Sequence, residues 1–386
     1  MRAIAAISVG LVALSIASVQ ACSSNSNPSG FSNLPEGGSG SSGSSGGSSG
    51  GSSGGSGGSS GSSSSSGSFG DDGGGPSDEG GDGGTVVTNT IYAHSDDTLY
   101  SVDPQTQAVT MVGPFAGTSD SSTDSVVTDL AVDSNDEVYV NTESVVYKAG
   151  LPASNPGTVT LTKVATIQGT AKFYALAFAP QGALDPNSEV LVGGDSNGAL
   201  WSIDTTSGAT VNLGTFGANG TTATFVLSGD IVFYNDASNT PTGLATIRSC
   251  PTGKSNTITN CGKDFLASVD MTALKTAYTS QTAATSLLGG IYGATTSGGM
   301  TTGPGNGTGF GDVFGLGAWN STVFGFTRSI TTPATAAQLI TIDTTTGIGT
   351  SVKSFTFTSP DTGWSGAGVT TKVTVTVPKP PPPPAQ

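Results

Sequence analysis

The chain has 386 residues, with 12 Lys plus Arg against 27 Asp plus Glu and a formal net charge of −15. No cluster of Lys and Arg exists to meet phosphates, which argues against nucleic-acid binding and against an electrostatic grip on anionic lipid. Only 10% of residues are charged, and Thr, Ser, Asn and Gly carry the polarity, as suits exposed β faces outside the cell.

Arg2 precedes an apolar run from Ile4 to Ala17, the layout of an export signal. The run is too short for a comfortable membrane span, which needs about 20 apolar residues. No later apolar stretch is longer. The run leads to Val19-Gln20-Ala21-Cys22, where the small Ala21 suits a peptidase pocket. These residues resemble the N-terminus of bacterial lipoproteins, with Gln20 departing from the small residue usual at that place. The resemblance implies that 1–21 is a signal peptide and that Cys22 becomes the lipidated first residue. It also implies more than one acyl chain, since a single chain binds a membrane only marginally. The expected location is the cell envelope, lipid-anchored, on the surface or periplasmic face of the outer membrane of a Gram-negative bacterium.

Residues 22–84 form a predicted tether. Gly37 to Ser68 is almost entirely Gly and Ser, a composition that cannot bury enough apolar area to offset chain entropy and so stays disordered. About 60 such residues have a typical reach of roughly 40 Å. The tether ends in Asp71, Asp72, Asp78, Glu79 and Asp82, read as a solvated, self-repelling spacer. A calcium-binding segment is the alternative.

Residues 85–377 are rich in Val, Thr, Ile, Phe and Tyr, punctuated by Gly, Asn and Asp, which predicts an all-β domain. The best helical candidate is the short stretch Met271 to Thr279. A motif recurs: Leu99-Tyr100-Ser101-Val102-Asp103, Leu200-Trp201-Ser202-Ile203-Asp204, Leu266-Ala267-Ser268-Val269-Asp270 and Leu339-Ile340-Thr341-Ile342-Asp343. Three copies run through a Thr-containing turn into a second strand, so the motif is a repeated β-hairpin. Its Asp is expected to cap the turn through backbone N–H groups. A second repeated element precedes the hairpin. Asp129 to Asp133 leads to Val138-Tyr139-Val140, Ala175 to Ala179 to Val190-Leu191-Val192-Gly193, and Gly315 to Trp319 to Val323-Phe324-Gly325-Phe326.

Four strands per repeat is the size of a propeller blade. The pattern resembles bacterial propeller repeats of the NHL, YVTN and WD40-like kind, without a family-specific functional motif. Blades are predicted at 126–168, 173–217, 222–290 and 313–358. Residues 87–115 lack a first strand, which Gly366 to Thr370 is expected to supply, closing the ring and removing its exposed edges. The expectation is a β-propeller of about five blades, with six or seven if 273–312 hides a unit. A pair of β-sandwiches is the main alternative.

If Cys22 carries lipid, Cys250 and Cys261 remain as an even pair in an oxidising compartment and are expected to form a disulfide across a polar loop. Two cysteines and one distant histidine do not make a zinc site. His94, the only histidine, is expected at the lip of a turn, in solvent. Gly194-Asp195-Ser196-Asn197-Gly198 matches a nucleophile elbow, but an elbow needs a following helix and this stretch is predicted to turn into a strand. Gly303 to Gly311 lacks the Lys-Ser/Thr of a phosphate loop. Asp133, Asn135 and Glu137 have the alternate oxygen spacing of calcium loops, without the glycine and distant Glu of an EF-hand; a turn between strands is the plainer reading. Residues 378–386 are a predicted polyproline tail.

These features point to a tethered, non-enzymatic binding module, monomeric and without a cofactor, that meets an unidentified protein, glycan or matrix partner. The alternative is a propeller hydrolase or lyase, in which carboxylates such as Asp129, Asp133 or Asp230 converge on the central channel.

Overall fold

A computed structural model of the protein describes residues 90–118, 124–293, 308–328, 336–357, 361 and 363–380. The expected signal peptide, Cys22, the tether with its acidic end, most of the Gly303 to Gly311 loop and the last six residues of the tail lie outside them.

The strands form antiparallel meanders. The first contains β1 (Ile91–His94), β2 (Thr98–Val102) and β3 (Val109–Ala116). The second contains β4 (Asp129–Val132), β5 (Val138–Asn141), β6 (Val145–Gly150) and β7 (Val159–Thr166). The third contains β8 (Phe173–Ala179), β9 (Val190–Asp195), β10 (Ala199–Ile203) and β11 (Thr210–Thr215). A short edge strand, β12 (Ala218–Asn219), leads into the fourth: β13 (Ala223–Asp236), β14 (Pro241–Pro251), β15 (Phe265–Val269) and β16 (Leu288–Ile291). Its loops hold α1 (Ile258–Cys261) and α2 (Met271–Ser280), the latter at the predicted helical stretch. The fifth contains β17 (Val313–Trp319), β18 (Thr322–Thr327), β19 (Ala337–Ile342) and β20 (Gly349–Phe355). β21 (Gly366–Val369) then pairs with β1 and gives the first meander its missing strand. β22 (Thr374–Val375) pairs in parallel with the end of β13. The stretch 273–312, left open by the sequence for a further unit, holds α2 and β16 and passes through residues that are not described.

The innermost strands touch in sequence: β21 meets β4, β4 meets β8, β8 meets β13, β13 meets β17, and β17 meets β21. The meanders therefore stand around a common axis and the series closes on itself. This is a β-propeller. The outer strands β3 and β7 also pair, merging two meanders into one eight-stranded sheet.

The repeated Leu-to-Asp motif forms the third strand of four meanders, β2, β10, β15 and β19. Asp103, Asp204 and Asp343 each accept two backbone N–H groups of the following turn, from Gln105 and Thr106, Thr206 and Ser207, and Thr345 and Thr346. Those bonds hold the three exposed carboxyls below the usual carboxylate range. In the fourth meander Asp270 instead caps α2, accepting from Thr272 and Ala273. Gly208 and Gly347 close two of these turns at φ +74° and +71°. A Cβ there would lie 1.9 Å from the Thr166 carbonyl and 2.5 Å from the Tyr292 carbonyl, each on the preceding meander. The turn glycine thus lets neighbouring blades come into backbone contact.

Hydrophobic clusters fall between meanders. Leu99, Val112, Leu130 and Val140 join the first and second; Phe173, Leu191, Ala131 and Val146 join the second and third. At the seam between fifth and first, the fully buried Trp364 is surrounded edge-on by Tyr100, Phe326, Phe355 and Phe357, with ring centroids 5.0–5.5 Å away.

Two ends of the ring can be told apart. The upper end carries the starts of the inner strands, the β9–β10 turn and the loop after β14. The lower end carries the Asp-capped turns, the start of β1 and the end of β21. From β21 the chain crosses the lower end. Thr370 Oγ1 donates to the Asp133 carbonyl at 2.8 Å, Lys372 pairs with Asp136 at 3.5 Å, and Thr376 N–H donates to the Asn320 carbonyl at 2.7 Å. Val373, Val375 and Val377 are buried along this crossing. The space on the axis among Ala131, Leu176, Ile231, Val232, Gly368 and Val369 is about 10 Å³, at the limit for one water molecule.

Trp364→Ala is expected to destabilise the protein by about 3–5 kcal/mol, the range for deleting a large buried aromatic. Chemical denaturation read by circular dichroism checks this, and a loss below about 1 kcal/mol would contradict the seam described here.

Candidate functional site

The upper end gathers the polar side chains, in three places. The first is on the axis. Asp129 opens β4, and its Oδ2 accepts the Leu176 N–H of β8 at 2.6 Å. Asp230 lies in β13, and its carboxylate accepts the Leu316 N–H of β17 at 2.7 Å and its neighbour Ile231 N–H at 2.6 Å. Each carboxyl therefore ties one inner strand to the next. The two groups are fully buried and close enough for each to act on the other's charge. Burial is the main force raising both above the usual carboxylate range. Their proximity adds to that shift at Asp129, so the pair holds on to protons that exposed carboxyls would release.

His94 sits beside them. The sequence places it in solvent, but it is fully buried at the end of β1. Its Nδ1 donates to the Ser95 carbonyl at 2.6 Å, leaving the Nε2 lone pair 3.9 Å from Asp129 Oδ1. Burial lowers it to about 4, so it is neutral at physiological pH; the Ser95 carbonyl and Asp96 oppose that shift and Arg328 adds to it. Gly366 makes the convergence possible, because a Cβ there would lie 1.9 Å from Asp129 Oδ1 and 2.5 Å from His94 Nε2.

An acid pair with a neutral imidazole has the chemistry for proton transfer. Here its oxygens accept strand N–H groups and no surface of the three residues reaches solvent. Of the carboxylates named for the channel, Asp129 and Asp230 meet and Asp133 does not. Asp133 lies at the lower end, where its Oδ1 accepts the N–H groups of Asn135 and Glu137 at 2.8 and 2.9 Å. Glu137 pairs with Lys148 at 2.5 Å. The calcium candidates Asp133, Asn135 and Glu137 thus form a capped turn. Among the described residues no group of three or more His, Cys, Asp and Glu is placed to hold a metal ion.

The second place is an ion network at the rim. Arg248, fully buried in β14, reaches Asp264 and Asp312 at 2.5 Å each. Burial works against its charge, and the two carboxylates more than restore it. Asp312 is pushed above the usual carboxylate range, first by burial and also by Asp264, against the pull of Arg248. Arg328 makes a two-pronged pair with Asp96 at 2.9 and 2.7 Å, and Ser365 Oγ donates to Asp96 at 2.6 Å. Burial and the nearby carboxylates Asp97 and Asp96 push Asp361 up to about 6, against a bond from Ser95.

The third place is a surface pocket of about 350 Å³. One wall is the β9–β10 turn, with Ser196 and Asn197; the others are the stem of the β13–β14 hairpin and the loop after it. Cys250 and Cys261 form the expected disulfide across that loop, and Asn256 donates to the Leu227 carbonyl at 2.6 Å. The Gly194 to Gly198 motif is a tight turn, with Gly198 N–H donating to the Asp195 carbonyl at 2.9 Å, and runs into β10. A strand follows Ser196 where an elbow needs a helix.

No family model matches the chain. No curated protein matches it either. Among solved structures it is similar to a protein of unknown function from Bacteroides caccae, at 9% identity over 72% of this chain and 97% of that one, with a TM-score of 0.35. It is also similar to BamB from Moraxella catarrhalis, at 12% identity over 68% and 60%, with a TM-score of 0.27. A third is PorZ of Porphyromonas gingivalis, a surface component of the type-IX secretion system, at 13% identity over 67% and 31%, with a TM-score of 0.26. Likenesses this distant carry no argument about the chain, and its fold is argued above from its own strand order.

The acid pair sets a pH dependence. Folding raises both carboxyl values, so the native state keeps protons that the unfolded chain releases above about pH 4. Stability from this source falls as pH rises toward the raised values. His94 acts oppositely, losing stability as pH falls from its usual 6.5 to about 4. Asp129→Asn keeps the acceptor for Leu176 N–H and needs no proton. Its melting temperature is expected to equal or exceed the wild type at pH 8, with a smaller difference at pH 4, in melts across that range. Asp129→Ala strands the Leu176 N–H and is expected to cost about 1–3 kcal/mol.

Arg248→Met leaves Asp264 and Asp312 buried without their cation. The expected loss is about 3–5 kcal/mol, measured by denaturant titration at pH 7; a stability within about 1 kcal/mol of wild type would count against the network.

Proposed function

We propose that the chain is an extracytoplasmic binding module, held at the cell envelope by a lipid on Cys22, whose upper end meets its ligand. One observation carries this reading: the start of β1 and the crossing that follows β21 both lie at the lower end, while the pocket, the disulfide loop and the rim lie at the upper end. A tether entering at Thr90 joins the lower end and so leaves the pocket at the upper end uncovered. The export-signal layout at Arg2 to Ala17 and the cysteine after Ala21 support the anchor. Among the described residues no helix is long and apolar enough to cross a membrane.

The hydrolase or lyase reading needs carboxylates that a substrate can reach. Asp129 and Asp230 are fully buried and hold strand N–H groups. This favours binding over catalysis. The stapled pocket, by contrast, is open to solvent and lined by polar groups.

Two measurements test the reading. Protease shaving of intact cells, blotted for the folded domain, is expected to release the domain by cleavage within the tether. Protection until the outer membrane is permeabilised would place it in the periplasm. Pull-down of envelope and extracellular fractions with the purified full chain is expected to retain a component that an Asn197→Trp variant, with its pocket blocked, does not. Equal retention by both proteins, or retention of nothing, would sink the binding role of the upper end.

A further inference from the structure

The pocket by the disulfide loop has a defined chemistry. The side chains of Ser196, Asn197, Thr224 and Lys254 line it, and none of them makes a hydrogen bond to another described residue. Ser255 and Asn256 complete the polar wall. No carboxylate and no aromatic ring lines it. This is unusual for a chain with 27 Asp plus Glu and only 12 Lys plus Arg. The lining thus offers neutral hydroxyl and amide groups around a single ammonium, in a volume within the range of small-ligand sites.

The loop that carries the cation is anchored at two points. Lys254 sits within the loop closed by Cys250 and Cys261, and Asn256 fixes that loop to the β13 stem through the Leu227 carbonyl. A second lysine, Lys263, lies just beyond that loop and donates to the Gly309 carbonyl at 2.5 Å. It does not line the pocket, so one positive charge faces the ligand. A compact ammonium among rotatable hydroxyls matches a monoanion with many hydroxyls of its own. A phosphate dianion calls for more cations or a cradle of backbone N–H groups, and a purely apolar ligand would leave the hydroxyls and the ammonium unanswered.

We propose that the pocket binds a carboxylate-bearing sugar, of the uronic-acid class, with Lys254 on the carboxylate and Ser196, Asn197 and Thr224 on the hydroxyls. The proposal rests on the reading of the upper end as a binding face and names its ligand class.

The test is a calorimetric titration of the purified full chain, at low salt, with trigalacturonate and with the neutral trisaccharide galactotriose. Trigalacturonate is expected to bind at least about ten-fold tighter than galactotriose. Lys254→Ala removes that preference, Lys254→Arg retains most of it, and Lys263→Ala leaves it unchanged. The preference weakens as salt is raised, because the pair is partly exposed. Thermal melts confirm that each variant folds. Equal affinity for the two trisaccharides, an unchanged preference in Lys254→Ala, or no binding of either overturns the proposal. A positive envelope pull-down beside any of those outcomes keeps the binding-module reading and discards only its ligand class.

Discussion

The ring depends on one pairing between distant parts of the chain. β21 lies against β1 through the pairs Ile91–Val369, Tyr92–Gly368, Ala93–Ala367 and His94–Gly366. Without it the first meander has three strands and β1 presents a free edge, which is where sheets pair wrongly with other chains. Trp364, just before β21, fills the space between the fifth and first meanders with a fully buried ring. Hydrogen bonding and packing thus close the seam together. The crossing after β21 extends the closure by touching the lower end at Asp133, Asp136, Asn235 and Asn320.

Closure brings the inner strands together around a narrow axis, and the residues there reflect the crowding. Glycines and alanines recur along the inner strands, because a larger side chain would meet the neighbouring strand; a Cβ on Gly315 would lie 2.8 Å from the Cβ of Ala367. Backbone N–H groups that face the axis have no sheet partner, and buried polar groups need one. Asp129 and Asp230 supply acceptors for Leu176 and Leu316 across the gap between meanders. Where carboxyls serve this purpose close together, one keeps its proton. Such polar groups at the centre of a propeller are fully compatible with a structural role, even though their chemistry resembles that of a catalytic pair.

Much of the architecture was legible in the sequence because the repeat is written in local chemistry. The Leu-to-Asp strands, the turn glycines and the two-residue alternation of the inner strands are all short-range signals. Even the closing strand could be found, since Gly366 to Thr370 has the small-residue pattern of an inner strand. The cysteine pair could be read from count and loop composition. The polar sites were less legible, because their partners are set by closure. His94 follows three strand residues and precedes Ser95-Asp96-Asp97, which reads as a solvated turn; the meeting of β1 with β21 and β4 buries it. Arg248 could have been flagged as a lone cation directly after the apolar stretch Leu244 to Ile247, but Asp264 and Asp312 reach it from 16 and 64 residues away. The pocket is likewise assembled from three separate stretches.

The β1–β21 pairing has a consequence for how the molecule comes into being. Its two strands are about 270 residues apart, and joining ends that far apart costs roughly 5 kcal/mol in chain entropy. While the chain emerges from a ribosome or a translocation pore, the first meander waits, one strand short, for the last strand to arrive. The strands of the second to fifth meanders all precede β21 in the chain and can pair among themselves before it arrives, which leaves an open arc whose two flanks stay unsatisfied until closure. The interval before ring closure is the period in which this protein is most exposed to misassembly and proteolysis. Any cellular factor that guards it would act on the arc and lose its footing once Trp364 and β21 have docked.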